Sequence, residues 1–371
     1  MSAKKKHILI ITSEFPPLPG GIGNHAYNLA KYLDINGYPV KVIADQRSSN
    51  KSEESSFDHQ LTFSVQRVAL RKIRLIMYVN RLKLLFSSAK TADVIIATGK
   101  FSLWSVALIS HIRKKNYMAI VHGTEVNFSN KLLRRSINWA LKRFSTVVAV
   151  SHYTKSLIDH LQLNRVVVIP NGVSMEESSN YKMDKLQELK GNPALLTVGN
   201  VTERKGQLNV IKHLSDLKKV YPDLHYHCVG FPTEKERCLK AAEAMGVNQD
   251  LTFHGHVSHD ELNTFYQNSD LFIMLSTQTA TGDVEGFGIA ILEANWFGLP
   301  AIGSLDSGIE DAINHNQTGL LVNPIHTEDF VEAVTHILED KEHFSANAQQ
   351  WAQRHRWEIV IKSYINSIES L

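Results

Sequence analysis

The chain has 371 residues, of which 43% are hydrophobic and 21% charged, a composition that indicates a soluble globular protein. This length is too great for one ordinary hydrophobic core, so we expect two domains. The apolar runs at 106–109 and 271–275 are far too short to cross a bilayer, and the run at 7–12 is too short for a secretory signal, which argues against a membrane-spanning or secreted protein.

Charge is divided unevenly along the chain. The net charge of +3 combines 25 Lys and Arg against 9 Asp and Glu in residues 1–170 with 15 against 28 in residues 171–371. The first part therefore carries +16 and the second −13. Such a split indicates two domains with different partners. We expect the basic half to face an anionic membrane surface or a phosphorylated acceptor, and we do not expect nucleic acid as a partner.

Short apolar runs alternate with helical patterns along the whole chain. Ala26, Leu29, Ala30 and Leu33, for example, follow the helical spacing i, i+3, i+4, i+7. This alternation predicts an α/β fold with parallel sheets in both halves. The polar, Ser-rich segment 48–56 is expected to be a surface loop. The predicted strands are 7–12, 39–44, 93–98, 117–121, 146–150, 166–169, 194–198, 224–229, 251–254, 271–276, 300–304 and 319–322.

A domain boundary is expected near Pro170-Asn171-Gly172, a turn-forming sequence that follows the first series of strands. We therefore predict an N-terminal Rossmann-like domain at residues 1–172 and a C-terminal one at 173–350. Residues 351–371 carry an apolar stripe at helical spacing and are predicted to form a separate terminal helix.

A proline- and glycine-rich sequence follows the first predicted strand. Residues 14–23 read E-F-P-P-L-P-G-G-I-G, and Gly20 and Gly21 allow the backbone to approach a phosphate or a sugar closely. The stretch does not match the dinucleotide-binding fingerprint, because Leu18 and His25 stand where that fingerprint needs glycines. A plain turn is the alternative interpretation.

Two further motifs supply candidate catalytic side chains. His122 follows the predicted strand 117–121 at its carboxyl end, where ligands of α/β proteins collect, although a histidine there is also compatible with a structural role. The motif 198–206, V-G-N-V-T-E-R-K-G, contains Arg204 and Lys205 beside glycines. Fixed cations of this kind stabilise a diphosphate leaving group as its negative charge develops.

The most informative run is 285–293, E-G-F-G-I-A-I-L-E, which is closed by G-L-P at 298–300. Glu285 and Glu293 would lie two turns apart on one helix face if one helix continued through both. Glycines near Glu285 place free backbone N–H groups and the positive helix end where an anion binds. Carboxylates accept hydrogen bonds from sugar and ribose hydroxyls, so the run predicts a site for a sugar that carries a phosphate. A buried helix with two surface glutamates is the alternative.

These four motifs together resemble the family-4 retaining glycosyltransferases, which have the GT-B fold. The resemblance covers nearly the whole chain and is most specific at 283–300. It implies two Rossmann-like domains facing across a cleft, with a nucleotide-sugar donor bound mainly by the second. It also implies transfer with retention, no metal or other cofactor, and a terminal helix that crosses back onto the first domain.

The resemblance further implies roles for individual residues: Glu285 and His122 contact the transferred sugar, Glu293 the ribose, and the loops at Phe231 and Val257 the base. Asn200 stands where many family members have arginine, which leaves open whether Arg204 compensates. The implied catalytic residues are His122, Arg204, Lys205 and Glu285, and the implied donor-binding residues are Gly20, Gly21, Asn200, Phe231, Val257, Gly286, Phe287, Gly288, Ile289 and Glu293.

The sequence T-G-D-V at 281–284 resembles mannosyltransferase members of the family. GDP-mannose is therefore the first choice of donor, and a glycan or lipid-linked acceptor in cell-envelope polysaccharide synthesis is expected. The alternatives are a transferase that uses UDP-glucose or UDP-N-acetylglucosamine, an isomerase or phosphorylase of the same architecture, and a non-catalytic partner subunit.

Two basic stretches, 71–86 and 131–144, combine apolar residues with lysines and arginines. Either stretch alone is typical of a helix that packs on the core and solvates its charges, whereas two in a basic domain favour peripheral contact with an anionic membrane. Cys228 and Cys238 match no metal or disulfide pattern, so we expect reduced thiols. We therefore expect a cytoplasmic protein that is peripheral on the cytoplasmic face of the membrane.

Overall fold

The computed structural model describes residues 5–18, 20–175 and 189–371. The chain divides into two compact units, Met1–Gly172 with Trp357–Leu371, and Val173–Arg356. Each unit contains one parallel sheet, so the prediction of an α/β protein with two parallel-sheet domains is confirmed. No helix in the described ranges is both long and apolar enough to span a membrane.

The first unit contains a seven-stranded sheet in the order β3-β2-β1-β4-β5-β6-β7. The second contains a six-stranded sheet in the order β10-β9-β8-β11-β12-β13. The strands are β1 (Ile8–Thr12), β2 (Val40–Asp45), β3 (Ser64–Val68), β4 (Val94–Thr98), β5 (Asn116–Val121), β6 (Thr146–Ala149), β7 (Val166–Val168), β8 (Ala194–Val198), β9 (His225–Val229), β10 (Leu251–Gly255), β11 (Leu271–Met274), β12 (Ala301–Ser304) and β13 (Gly319–Val322).

Helices connect the strands and cover the sheets. They are α1 (Gly21–Ile35), α2 (Lys51–His59), α3 (Arg74–Ser88), α4 (Lys100–Ile109), α5 (Lys131–Leu141), α6 (His152–Ser156), α7 (Gln207–Val220), α8 (Lys235–Ala244), α9 (His259–Asn268), α10 (Ile289–Trp296), α11 (Thr327–Glu339), α12 (Lys341–Arg354) and α13 (Trp357–Glu369). Since α13 belongs to the first unit, α12 is the last helix of the second. Within the first unit α13 packs against α1.

The core of the first unit lies between its sheet and a helical layer. Leu9 and Ile11 share one apolar cluster with buried residues of α3, α4 and α5. The central strands β1 and β4 are buried along their whole length and are apolar up to a final threonine, because helices of a parallel sheet bury both faces. In the second unit α7, α8 and α11 supply the corresponding cluster. In each sheet, the carboxyl ends of the strands and the loops that follow them therefore lie at one edge of that sheet.

Two expectations about local structure were wrong. The edge strand β3 escaped prediction, because S-V-Q-R-V mixes polar and apolar residues and its pairing with β2 supplies the missing preference. The Ser-rich segment 48–56 is not a loop, since most of it forms α2. The Asn50 side chain caps this helix by accepting from the Ser52 N–H, and Glu54 is buried.

Candidate functional site

In the second unit, the loop after β8 brings two cations to the carboxyl edge of the sheet. Glu203–Lys205 form a single 3₁₀ turn that ends at Gly206, whose φ of 79° lies in the left-handed region. A Cβ at Gly206 would collide with the carbonyl of Leu275 at the end of β11, so glycine is required for this close packing. Ser276 donates its hydroxyl to the Arg204 carbonyl and fixes the turn from the other side.

The two cations meet Glu285. Lys205 Nζ lies 2.8 Å from Glu285 Oε2, and Arg204 Nη1 also pairs with that oxygen. Arg204 Nε lies 3.2 Å from Asp283 Oδ2. Burial opposes ionisation of Glu285, but the Lys205 and Arg204 charges outweigh it and hold the pKa of this carboxyl below its ordinary value. The structure thus joins three of the predicted catalytic residues in one ion-paired cluster, which we call the cation cluster.

Glu285 and Glu293 do not share a helix, so that part of the prediction was wrong. The helix α10 begins only at Ile289, because Gly288 has a φ of 86° and interrupts the helical backbone. Glu285 instead lies before the helix and accepts a hydrogen bond from the Gly288 N–H at 3.2 Å. Its backbone carbonyl accepts from the N–H of Gly308 at 3.0 Å. A Cβ at Gly308 would collide with Gly286, so the two loops touch through glycines.

Glu293 lies on α10 and has a different partner. Tyr266 donates its hydroxyl to Glu293 Oε2 at 2.9 Å. Burial raises the pKa of the Glu293 carboxyl, while the Tyr266 hydrogen bond and the Lys205 charge act in the opposite direction. Sequence reasoning missed Tyr266, Ser276 and the pairing role of Asp283, because these contacts join segments far apart in the chain.

The loops predicted to meet the base lie beside the cation-bearing loop. The N–H of Val201 donates to the carbonyl of Phe231 at 2.9 Å. The Phe231 ring is 47% exposed and stacks on His256, with ring centroids 5.0 Å apart and planes 3° apart. Val257 follows His256 in the loop after β10 and is half-buried. Asn200, in the loop after β8, is exposed. An exposed, flat ring pair of this kind offers a surface on which a base can stack.

In the first unit, His122 lies directly after β5, as predicted. Its Nε2 is 2.9 Å from the hydroxyl of Thr98, the last residue of β4, and its backbone N–H donates to Glu125 Oε1 at 2.6 Å. Burial lowers the pKa of His122 to about 4, so the ring is neutral near pH 7. Burial raises the pKa of Glu125 to about 7, with a further increase from the Glu14 carboxylate.

A second histidine packs on this group from α1. The rings of His25 and His122 meet edge to face, with centroids 4.9 Å apart. His25 Nε2 is 2.9 Å from the hydroxyl of Tyr364 on α13, and the ring also contacts Trp357. Burial and the neighbouring His122 hold the pKa of His25 well below its ordinary value. The neutral, aromatic surroundings of His122 therefore contrast with the charged cation cluster.

The proline–glycine loop is held by two arginines. Arg67 donates to the carbonyl of Pro16 at 2.5 Å, and Arg47 donates to the carbonyl of Leu18 at 3.0 Å. A Cβ at Gly20 would collide with the Glu14 carboxylate, whereas one at Gly21 would meet no atom within 4 Å. The Glu14 carboxylate is the end of a flexible side chain and can move aside, so packing requires glycine at neither position. No group of three His, Cys, Asp or Glu suited to a metal occurs in the described part of the chain.

Comparisons with known proteins show the family of the chain. The profile described as Glycosyltransferase Family 4 matches residues 19–177, and the profile described as Glycosyl transferases group 1 matches residues 178–355. In sequence the chain is similar to the GDP-mannose-dependent alpha-(1-6)-phosphatidylinositol monomannoside mannosyltransferase of Mycobacterium tuberculosis, at 25% identity over 95% of this chain and 95% of the relative.

Two solved structures share the fold. Sucrose-phosphate synthase from Thermosynechococcus elongatus has a TM-score of 0.79 and 17% identity, and the match covers 99% of each chain. Anabaena Alr3699/HepE in complex with UDP-glucose has a TM-score of 0.79 and 20% identity over 99% of this chain and 100% of the other. At these identities the likeness speaks for the fold alone.

Proposed function

Since the chain belongs to the glycosyltransferases, with a family 4 domain followed by a group 1 domain and the GT-B fold, we propose that it is a retaining mannosyltransferase. The proposed donor is GDP-mannose, and the proposed acceptor is a glycan or lipid-linked sugar used in cell-envelope polysaccharide synthesis. The relatives support a nucleotide-sugar-dependent transferase, and the name of the mycobacterial relative supports GDP-mannose in particular.

One observation carries this proposal: the cation cluster formed by Arg204, Lys205 and Glu285. When a nucleoside diphosphate binds there, its oxygens compete with Glu285 for the two cations, and the carboxylate is released to accept hydrogen bonds from sugar hydroxyls. As the glycosidic bond breaks, Lys205 and Arg204 then stabilise the growing negative charge of the leaving diphosphate. Glu293, on α10, is the proposed ligand of the ribose.

Retention is proposed without a covalent enzyme intermediate. In the proposed complex the Glu285 oxygens accept hydrogen bonds from sugar hydroxyls, and the lowered pKa of this carboxyl makes it a poor proton donor. We therefore expect the acceptor hydroxyl to attack on the face that the diphosphate leaves, with a phosphate oxygen taking its proton. The anomeric configuration of the product, read by NMR, tests this step. A β-linked product from an α-linked donor would exclude retention.

The donor is tested by thermal unfolding in the presence of GDP-mannose, UDP-glucose and UDP-N-acetylglucosamine. A ligand that binds the folded protein raises the melting temperature by mass action. We expect GDP-mannose to give the largest shift and Lys205→Ala to abolish it. Lys219→Ala is the matched control, because Lys219 forms an exposed ion pair with Asp216 on α7. A shift with UDP-glucose alone would select the alternative donor, for which the UDP-glucose complex of the Anabaena structure is the supporting observation.

A non-catalytic partner subunit is the second candidate. Release of nucleoside diphosphate from the donor in the presence of an acceptor separates it from a transferase. We expect wild type to release the diphosphate and Lys205→Ala to release almost none. Donor binding without any release, across a panel of lipid-linked and soluble sugars, would favour the non-catalytic role.

We also propose that the first unit contacts the cytoplasmic face of an anionic membrane. Residues 59–158 contain seventeen lysines and arginines but only two acidic residues, Asp93 and Glu125. The helices α3, α4 and α5 are neighbours in this segment, and large apolar side chains are exposed on or next to them. Leu75 on α3 and Leu132 on α5 are 68% and 73% exposed, and Ile73 before α3 and Ile112 after α4 are 61% and 68% exposed. Apolar and basic side chains on one helical layer suit the interface of an anionic bilayer.

The structure splits the apolar face that was predicted for residues 131–144. Ile137, Ala140 and Leu141 are buried in the core of the first unit, whereas Leu132 and Leu133 are exposed. The core-facing and interfacial interpretations therefore apply to different residues of the same helix, on which Leu132, Leu133 and the 38% exposed Trp139 are available to a membrane.

Sedimentation with vesicles tests the membrane contact. We expect binding to anionic vesicles at low salt and little binding to neutral ones, because each Lys or Arg near the surface contributes about 1 kcal/mol within a Debye length. Replacing Arg134, Arg135, Lys142 and Arg143 with Gln should release the protein and leave the GDP-mannose thermal shift unchanged. Wild type that stays in the supernatant at low salt would exclude the membrane and favour a soluble anionic acceptor.

A further inference from the structure

The ring of His122 has one nitrogen engaged inside the protein and one accessible. Nε2 lies 2.9 Å from the Thr98 hydroxyl. Nδ1 has no hydrogen-bond partner in the described residues. Unlike His25 Nδ1, which is buried without a partner, His122 Nδ1 is not fully buried. The half-buried ring therefore presents Nδ1 on its accessible side. Whether Nδ1 donates or accepts depends on which nitrogen carries the single proton of the neutral imidazole.

Thr98 decides between the two tautomers. Its side chain is fully buried, and His122 Nε2 is its only hydrogen-bond partner within the described ranges. A buried hydroxyl that donates to nothing loses the free energy of a hydrogen bond, so the Thr98 O–H donates to Nε2. Nε2 is then the bare, accepting nitrogen, and the ring proton lies on Nδ1. If Nε2 were protonated instead, the Thr98 hydrogen would be buried without an acceptor.

Glu125 fixes the same residue at its backbone. Its Oε1 accepts the His122 N–H at 2.6 Å, across the turn in which the Val126 N–H donates to the Gly123 carbonyl. The Glu125 side chain is 3% exposed, so this hydrogen bond is shielded from water. The backbone and the ring of His122 are thus fixed by side chains from two different positions, Glu125 after β5 and Thr98 at the end of β4.

We propose that Thr98 and Glu125 are positioning residues that hold His122 as a neutral, Nδ1-protonated imidazole, so that Nδ1–H is a fixed hydrogen-bond donor to an oxygen of the transferred sugar. The identity of this ligand rests on the proposed function, whereas the tautomer does not. A donor at this position favours a sugar oxygen that accepts, and it discriminates against a group that can only donate.

The tautomer is measured directly by long-range ¹H–¹⁵N NMR on protein labelled at histidine, with the His122→Gln variant to assign the signal. We expect wild type and Thr98→Ser to show the Nδ1–H tautomer. Thr98→Val preserves the shape of the side chain but removes the hydroxyl, so a mixture of tautomers is expected. A wild-type ring protonated at Nε2 would overturn the proposal, as would an unchanged tautomer in Thr98→Val.

Steady-state kinetics with the donor identified above gives an independent readout. Thr98→Val should lower kcat by about tenfold, the effect of one hydrogen bond to the reacting sugar, while Thr98→Ser stays close to wild type. Nucleotide affinity should be unchanged in both, because the sugar and not the nucleotide meets His122. Equal kcat for Thr98→Val and wild type would overturn the sugar contact even if the tautomer result holds. If wild type transfers no sugar at all, the proposed function fails, and the NMR result still decides the tautomer.

Discussion

Glu125 in the first unit and Glu285 in the second are both buried glutamates beside predicted catalytic residues, yet their chemistry is opposite. Glu285 touches Lys205 and Arg204, and these cations keep its pKa below the ordinary value. Glu125 is hydrogen-bonded mainly to backbone, and burial raises its pKa to about 7. Burial alone favours the neutral acid, and at Glu285 two direct cationic partners reverse that preference.

The two sites differ in the ligands that we propose for them. For the cation cluster we propose a diphosphate, because the charges of Arg204 and Lys205 are already brought together there. The rings of His122 and His25 are neutral near pH 7, because burial lowers the pKa of both. Neutral aromatic surroundings suit a sugar, whereas fixed cations suit phosphates.

The largest expected effect is that of Lys205→Ala. Removing a fixed cation from a developing negative charge costs about 100-fold or more in turnover. Circular dichroism should show an intact fold, because Lys205 contributes to the cluster and not to the apolar core. Lys219→Ala serves as the control for charge loss in the same unit. If Lys205→Ala retains more than a tenth of wild-type transfer, its assignment to the leaving diphosphate is wrong.

Glu125→Gln should change how stability depends on pH. With an ordinary pKa of 4.5 in the unfolded chain and about 7 when folded, Glu125 keeps its proton in the folded protein across this window. The free energy of unfolding contributed by this group therefore falls as pH rises from 4.5 to 7, by about 3 kcal/mol in all.

Gln cannot titrate. The free energy of unfolding of wild type minus that of Glu125→Gln should therefore decrease as pH rises over the same window. Chemical denaturation at intervals between pH 4.5 and pH 8 measures it. Parallel curves for the two proteins would show that the carboxyl is solvated, and the contrast with Glu285 would be lost.

Glu285→Ala and Glu293→Ala should differ in the step that they impair. Loss of a hydrogen bond to a charged group costs about 1.5–3 kcal/mol. We expect Glu293→Ala to weaken donor binding and Glu285→Ala to lower kcat more than affinity. Tyr266→Phe is the matched control for Glu293→Ala, since it removes only the hydroxyl that donates to Glu293 Oε2. Unaltered kinetics and affinity in both alanine variants would contradict the assignments.

The smallest effect should come from Asp283→Asn. Asp283 pairs with Arg204 at 3.2 Å, but 39% of the Asp283 side chain is exposed to solvent. Exposed ion pairs contribute about 0–1 kcal/mol, so thermal stability should hardly change. A loss of activity comparable to that of Lys205→Ala would show instead that Asp283 orients Arg204 for catalysis.

The sequence predicted the elements whose signals are local. The alternation of apolar runs and helical patterns identified twelve of the thirteen strands described by the structure, and the motif spacing placed His122, Lys205 and Glu285 next to strand ends or helix starts. These signals depend on residues close in the chain, where burial and backbone preference act together. The edge strand β3 has no such signal, because its pairing with β2 determines its conformation.

Only the tertiary structure decided which residues contact one another at the site. Gly288 prevents one helix from running through Glu285 and Glu293. The cause is its positive φ, which the spacing of the two glutamates does not reveal. Arg204 pairs with Glu285 from 81 residues away, and Thr98 meets His122 across adjacent strands. Parallel sheets bring the ends of distant strands to one edge, so the residues that set the charge, tautomer and pKa of a site are neighbours in space and not in sequence.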